Sequence, residues 1–368
     1  MGREAGSPQS PQAGGIACHR MLRPLGLHFR RRGRADGVRK VGLGKSSWQT
    51  AAALASDNMA MTAATHESAG CTKGGVRWGN ADFESRGKRC AAWLGRPTEV
   101  ERPPLVVMAH GFAAERTFGL LAFAERFAEL GCAVMLFDYR CLGDSEGQPR
   151  NWVSPRRHNQ DWDRAIDHSR SLPGIDRERI VLWGSSFSGG HVIATASRRS
   201  DINAIIAQVP FVDGRASVSK IPLPLMLRLA GAGLRDGLRM LTGRSPHCVP
   251  VVGRPGEFAI MNTPECEPGY RALIPEGSRW ENEVPARILL TVGTYRPIRA
   301  AWKVRSPALI VLAEKDSLIP PEAVERTAAR IPDCRLERLA CNHFEPYQGE
   351  WFEKNIALQE SFLRERVL

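Results

Sequence analysis

The chain has 368 residues, of which 43% are hydrophobic and 24% are charged, a composition typical of a soluble globular protein with a full hydrophobic core. Its nine cysteines show no metal-ligand spacing, and no stretch reaches the roughly 18 uninterrupted apolar residues of a membrane helix, so a cysteine-based metal site and a membrane-spanning protein are excluded. The odd number of cysteines and the missing secretory signal favour free thiols in a reducing compartment. We therefore expect a cytoplasmic protein with no membrane partner.

The net charge of +12 is concentrated at the N-terminus, where residues 1–57 hold ten Lys or Arg against three acidic residues. This segment is rich in Gly, Arg, Ser and Pro and has no apolar periodicity, which predicts that residues 1–60 are a disordered basic extension. A transit peptide or a nucleic-acid-binding arm would each account for the arginines, but neither an amphipathic helix nor interleaved aromatic residues are visible. We favour an extension without function and expect no nucleic-acid partner.

Strands and helices alternate from residue 76 to about residue 210. Two strands flank the turn ESRG; further strand-like runs are PLVVMAH, CAVMLFDY, RIVLWG and INAIIAQV, and helix-like runs are TFGLLAFAERFAELG, NQDWDRAIDHSRSL and FSGGHVIATASRR. Short apolar runs without alternation are typical of parallel strands buried on both faces. The sequence therefore predicts the α/β class, with a mostly parallel sheet and helices on both of its faces.

The alternation stops near residue 211 and resumes at residue 301, with strand, helix, strand and a final helix. Roughly ninety residues between two strands of one sheet exceed an ordinary connection. We predict that residues 211–300 are an inserted cap or lid, and that residues 75–210 and 301–368 together form the core.

The stretch LWGSSFSGGH (residues 182–191) joins a predicted strand to a predicted helix, which is the context of a nucleophile elbow. The strained turn of an elbow requires small residues two positions before the nucleophile and two or three positions after it. Ser186 meets this requirement, whereas Ser185 would have Trp183 two positions before it. Ser188 would lie inside the helix. Ser186 is therefore the predicted nucleophile.

Two backbone amides are expected to form an oxyanion hole beside this serine. The amide of Phe187 lies at the start of the helix after the elbow, where partial positive charge favours an oxyanion. The second amide belongs to Phe112 in AHGF, where Gly111 allows the backbone to approach the substrate. His110 in the same motif is predicted to brace the loop.

The predicted base is His343, which follows the last strand at the edge of the sheet where the elbow opens. The other histidines lie in or next to the tail, in helices or in the predicted cap. Asp316 is the predicted acid that orients His343, since it projects better from its strand than the neighbouring Glu314. Asp213, one strand earlier, remains an alternative acid.

Five stretches together, MAHGFAAER, FDYRCLGDSEG, LPGIDRERIVLWGSSFSGGH, EKDSLIPP and NHFEPY, resemble the α/β-hydrolase superfamily, nearest to its Xaa-Pro dipeptidyl-peptidase-like and acetyl-esterase-like members. The resemblance covers about residues 76–210 and 301–366. It implies an eight-stranded sheet, a triad of Ser186, Asp316 and His343, and no cofactor or metal.

The FDYRCLGDSEG motif is similar to a structural motif beside the active site, which gives Asp138 and Arg140 scaffolding roles. Ser188 departs from the glycine that many relatives carry, a change that the requirement for small residues tolerates. A serine nucleophile argues against epoxide hydrolases and dehalogenases of this fold, which use aspartate.

The expected activity is cleavage of a carboxylic ester or thioester of a small-molecule acyl substrate through an acyl-enzyme. The predicted cap is expected to supply the acyl pocket through the stretches PLPLMLRLAGAGL and MNTPECEPGY. Acyl transfer to an alcohol or amine would use the same intermediate, and a Xaa-Pro-type peptidase would need an acidic pocket. The candidate acids in the cap, Glu257, Glu265 and Glu267, do not decide this point. An inactive ligand-binding protein is the alternative outside enzymes, and the intact triad argues against it.

Overall fold

The computed structural model describes residues 71–368, so the predicted extension at residues 1–60 lies outside the described residues. The strands are β1 (Cys71–Lys73), β2 (Val76–Asn80), β3 (Phe83–Ser85), β4 (Lys88–Cys90), β5 (Ala92–Pro97), β6 (Leu105–Ala109), β7 (Ala133–Phe137), β8 (Ile180–Ser185), β9 (Ala204–Gln208), β10 (Cys248–Val249), β11 (Val284–Pro285), β12 (Ala308–Ala313) and β13 (Cys334–Leu339). The α-helices are α1 (Leu120–Glu129), α2 (Pro155–Ser171), α3 (Phe187–Ala196), α4 (Gly214–Val218), α5 (Leu223–Leu241), α6 (Cys266–Ala272), α7 (Pro321–Ala328) and α8 (Gly349–Arg366).

The main sheet of the described residues has nine strands in the order β1-β2-β5-β7-β6-β8-β9-β12-β13, one more than the eight expected. The strands from β7 to β13 in this order run parallel, whereas β1, β2 and β5 join through antiparallel pairs. The edge strand β1 is only three residues long and left no periodic signal in the sequence. Each of the two strands predicted around the turn ESRG is divided in two. The outer parts, β2 and β5, pair in the main sheet, while β3 and β4 form a separate ribbon.

Apolar side chains fill both faces of the sheet. On one face Val106 and Met108 of β6 belong to the same core as Phe123 of α1 and Phe362 of α8. On the other face Val107 belongs to the core that includes residues of α2, α3 and α7. Strand β6 is buried throughout, as its uninterrupted apolar run predicted. The predicted α/β class with helices on both faces is therefore confirmed.

Residues 211–300 connect β9 to the part of the chain before β12, and they contain helices α4, α5 and α6 and the short antiparallel pair of β10 and β11. Buried side chains of this segment, among them Val251, Tyr270 and Ile288, are continuous with one of the two cores of the sheet. The segment therefore packs on the sheet domain.

Two expectations from composition bear on the described part of the chain. Within residues 71–368, no helix has both the length and the apolar character needed to cross a membrane. The seven cysteines whose side chains the structure describes are all free thiols.

Candidate active site

Ser186 occupies the sharp turn between β8 and α3. Its backbone has φ 55° and ψ −117°, a region that residues other than glycine rarely adopt. The turn is so tight that a Cβ at Gly184 would collide with the carbonyl oxygen of Ser188, and a Cβ at Gly190 with that of Phe211. These contacts explain why the positions around Ser186 are small, as the elbow interpretation requires.

The two neighbouring serines are engaged elsewhere. Ser185 is buried, its hydroxyl bonded to the hydroxyl of Tyr347 and accepting a bond of 3.1 Å from the amide of Gln208. The Ser188 hydroxyl is 2.7 Å from the hydroxyl of Tyr139, so the residue that replaces the usual glycine has a hydrogen-bond partner of its own.

Ser186, His343 and Asp316 form a continuous chain of hydrogen bonds. Nε2 of His343 is 3.0 Å from Oγ of Ser186, and Nδ1 is 2.6 Å from Oδ2 of Asp316. The other carboxylate oxygen of Asp316 accepts the amides of Leu318 and Ile319, both at 2.8 Å. Asp316 therefore holds the proton on Nδ1, which leaves Nε2 free to accept the serine proton.

Asp213, the alternative acid, has other partners. Its carboxylate accepts two hydrogen bonds from Arg296 at 2.7 and 2.8 Å and caps α4 through the amides of Arg215 and Ala216. Burial alone would raise the pKa of Asp213, but these donors lower it below its usual value. The carboxylate that contacts His343 is that of Asp316.

The loop that carries Phe112, one of the predicted oxyanion donors, lies against the elbow. A Cβ at Gly111 would be 3.1 Å from Cβ of Ser186, a tight contact that glycine avoids. The amide of the next residue, Phe112, donates no hydrogen bond to any group among residues 71–368. Phe187 is the first residue of α3, and its ring meets that of Phe112 edge to face at 5.4 Å.

A stretch whose first residues were predicted only to line the acyl pocket braces the loop of Phe112. We call residues 263–280 the bracing segment. The hydroxyl of Tyr270 donates to the carbonyl of Phe112 at 2.9 Å, and the indole of Trp280 donates to the carbonyl of Ala113 at 2.8 Å. Ala113 has φ 53°, so these two bonds hold a strained backbone.

The bracing segment also contacts the loops that carry the acid and the base. The carboxylate of Glu265 accepts hydrogen bonds from the hydroxyl of Ser317 and, at 3.3 Å, from its amide, directly after Asp316 in the chain. A Cβ at Gly269 would be 2.5 Å from the ring of Phe344, the residue that follows His343. Glu265 was predicted to belong to the acyl pocket and was considered as a peptidase acid, and no sequence pattern indicated these contacts.

Charged residues of the FDYRCLGDSEG motif form buried ion pairs. Asp138 pairs with Arg116, Arg140 pairs with the buried Asp161, and both aspartates are among the most buried charged residues. His110 lies 3.6 Å from Asp138 and stacks edge to face on Tyr139, while burial lowers its pKa. These contacts match the scaffolding roles predicted for Asp138, Arg140 and His110.

His158 of α2 and His191 of α3 are fully buried and face each other. Nδ1 of His158 is 3.2 Å from Nε2 of His191, whose Nδ1 is 2.7 Å from the hydroxyl of Tyr295. Burial lowers the pKa of His158 well below its usual value and that of His191 to about 3, so both rings are neutral. They belong to the core network.

A mostly apolar cavity of about 230 Å³ opens at Ser186 and His343. Leu225, Met226 and Leu229 of α5 form one wall, and Met261 belongs to another. Apart from His343, the only titratable side chain among the described residues that line it is Lys220, at the end of the loop before α5. The cavity is thus suited to an apolar group attached to the atom that Ser186 would attack.

The sequence profile of the alpha/beta hydrolase family matches residues 106–353, which is more than half of the chain. The chain belongs to this family. The resemblance, fold class and enzyme class expected from the sequence are confirmed by this match and by relatives that are named thiohydrolases.

The quorum-quenching protein AidA of Acinetobacter baumannii (strain MDR-ZJ06) is 40% identical over 288 residues, which cover 78% of this chain and 95% of AidA. The polyketide transferase af380 of Aspergillus fumigatus is 26% identical over 273 residues, or 72% of this chain and 91% of that protein. The structure of DcsB in complex with its substrate analogue aligns with a TM-score of 0.69 and 22% identity over 79% of this chain and 99% of DcsB. The likeness to DcsB concerns the fold alone.

Proposed function

We propose that this protein is a serine hydrolase that cleaves a carboxylic ester or thioester through an acyl-enzyme on Ser186. The observation that carries the proposal is the hydrogen-bond chain from Ser186 through His343 to Asp316, at a strained elbow that opens into an apolar cavity. Residues 211–300 serve as the cap, and residues 75–210 and 301–368 as the core.

In the first half-reaction Oγ of Ser186 attacks the acyl carbon while its proton passes to Nε2 of His343. The amides of Phe112 and Phe187 hold the oxyanion, and Asp316 stabilises the imidazolium. His343 then protonates the departing alcohol or thiol. In the second half-reaction His343 takes a proton from water, the hydroxide attacks the acyl-enzyme, and the acid leaves as Ser186 regains its proton.

The cavity favours a slender acyl group. Its volume of about 230 Å³ is below the range of about 300–1,000 Å³ found for pockets that hold drug-sized ligands. Most of the side chains that line it are apolar, and apart from Ser186 and His343 the polar ones are a minority: Ser217, Lys220, Asn262, Thr263 and Ser317. We therefore assign the cavity to a linear aliphatic acyl group.

The names of the relatives fit this chemistry. Two relatives are named thiohydrolases, a name that fits the cleavage of a thioester. Thioesters therefore belong in the substrate panel beside carboxylic esters.

Acyl transfer is the second candidate, because af380 and other relatives are named polyketide transferases. The acyl-enzyme is the same, and only the acceptor differs. A peptidase is disfavoured, since no carboxylate is present among the described residues lining the cavity, and Glu267 pairs with Arg254 and Arg271.

The test is the turnover of aryl esters of increasing chain length, and of matched thioesters, by the wild type and Ser186→Ala. We expect the substitution to lower kcat by at least about a thousandfold. Ser197→Ala, at the other end of α3, is the control and should behave as the wild type. Undiminished activity of Ser186→Ala would reject the mechanism, and product formed with an added alcohol would favour transfer over hydrolysis.

A further inference from the structure

Helix α5 has apolar side chains on two opposite faces. Leu229, Ala232 and Gly233 are buried against the domain, whereas the opposite face is a leucine stripe that is 59–79% exposed. The stripe consists of Leu223, Leu227, Leu234, Leu238 and Leu241. Single exposed leucines are ordinary on a protein surface, but a contiguous row marks a surface that something covers.

The spacing of the leucine stripe makes it continuous. Its members are separated by four, seven, four and three residues, which places them on one side of a helix with 3.6 residues per turn. The stripe is about 27 Å long at 1.5 Å per residue. Leu290 lies beside the stripe and widens its apolar surface. Its side chain packs over Gly237, since a Cβ at Gly237 would be 3.4 Å from Cδ1 of Leu290.

Every exposed charge on α5 is positive. The exposed Arg228 and Arg235 and the half-buried Arg239 form a strip beside the leucines, and none of them pairs with a carboxylate among residues 71–368. The guanidinium of Arg239 donates to the carbonyl and hydroxyl of Ser245, and that of Arg228 lies over the ring of Phe258. The one acidic residue of the helix, Asp236, is buried and bonded to Arg287 at 2.6 Å. Lys220 and Arg244 add positive charge just outside the two ends of the helix.

The positive charge of α5 distinguishes between the partners that could cover the leucine stripe. The chain's own residues 1–57 carry ten basic against three acidic residues and would be repelled. A second copy placed across a two-fold axis on α5 would set one arginine strip against another. A leucine stripe flanked by arginines is the pattern of helices that lie in the headgroup region of anionic bilayers, with leucines among the acyl chains and arginines at the phosphates.

We propose that the outer face of α5 docks on an anionic lipid surface. The sequence analysis expected no membrane partner because it considered only segments that cross a bilayer. The inner face of the same helix, through Leu225, Met226 and Leu229, lines the cavity that opens at Ser186. Resting on the proposed function, docking therefore places the cavity beside the lipid phase and defines the substrate class as acyl esters that partition into membranes.

The test is sedimentation of the full-length protein with vesicles of phosphatidylcholine, with and without phosphatidylglycerol. We expect binding that requires phosphatidylglycerol. We expect each of two triple variants to lower the partition coefficient at least about tenfold: Leu227→Gln/Leu234→Gln/Leu238→Gln and Arg228→Gln/Arg235→Gln/Arg239→Gln. For the arginine variant the reason is that one basic residue near an anionic surface contributes about 1 kcal/mol to binding, or about fivefold.

The matched control is Arg86→Gln/Arg102→Gln/Arg305→Gln, which removes the same charge from exposed positions outside α5 and should change partitioning less than about threefold. All variants should hydrolyse a water-soluble ester as the wild type does. The same partition coefficient in the leucine variant and the wild type would overturn the proposal. So would a wild-type dimer that this variant converts to a monomer, because a second copy would then cover the stripe.

The failure of this proposal is distinguishable from failure of the proposed mechanism. Ser186→Ala should bind vesicles as the wild type does. If it binds and the wild type hydrolyses no ester, the surface proposal stands and the catalytic one fails.

Discussion

The bracing segment and helix α5 both lie within residues 211–300, but their side chains face in opposite directions. The bracing segment, residues 263–280, turns polar side chains inward and contacts the loops that carry Phe112, Asp316 and His343. Helix α5 turns its outer leucines and arginines away from the domain. One stretch of chain therefore both packs against the candidate active site and presents an apolar and basic face to the outside.

The largest expected effect is on stability and lies within α5. Asp236→Ala leaves Arg287 buried without its partner and should lower the free energy of unfolding by about 3–5 kcal/mol. Leu234→Ala, two residues away on the exposed stripe, should change it by less than about 0.5 kcal/mol. Urea unfolding of both variants measures the contrast, and similar losses would show that the outer face is packed in solution.

The next largest effect is expected on kcat, when the contact between the bracing segment and the loop of Phe112 is removed. Tyr270→Phe removes the hydroxyl that holds the carbonyl of Phe112 but keeps the ring, and we expect kcat to fall about tenfold with KM within twofold. A boronic acid that mimics the tetrahedral intermediate should bind about tenfold more weakly. A matching rise in KM with unchanged boronate affinity would instead indicate a role in substrate binding.

A smaller effect is expected at the acid loop. Glu265→Gln keeps the size of the side chain but weakens the charge-assisted bonds to Ser317, so kcat should fall about threefold as the alignment of Asp316 relaxes. Glu267→Gln, two residues later in the first turn of α6, removes only ion pairs with Arg254 and Arg271 and should leave kcat unchanged. Equal effects of the two substitutions would contradict the bracing role of Glu265.

The sequence predicted those parts of the site that follow directly from strand ends. Ser186, His343 and Asp316 each lie just beyond a parallel strand, and the carboxyl ends of parallel strands meet at one edge of a sheet. The tight turn could also be predicted from the sequence, because it requires small residues around Ser186. The choice between Asp316 and Asp213 needed coordinates, because both follow strands at that edge.

The contacts of the bracing segment could not be predicted in this way. Tyr270 and Trp280 reach carbonyl groups more than 150 residues earlier in the chain, from a stretch without periodicity. The aromatic side chains alone indicate only a core position. The leucines of α5 up to Leu234 were assigned together to an acyl pocket, because a helix with apolar side chains on two opposite faces does not reveal which face is inside.

The central claim is that Ser186 is the nucleophile, and a fluorophosphonate probe tests it most directly. Intact mass should show one adduct per chain, and peptide mapping should place it on Ser186. The adduct should be absent from Ser186→Ala and retained by Ser188→Ala. An adduct on another residue, or equal labelling of Ser186→Ala, would contradict the account.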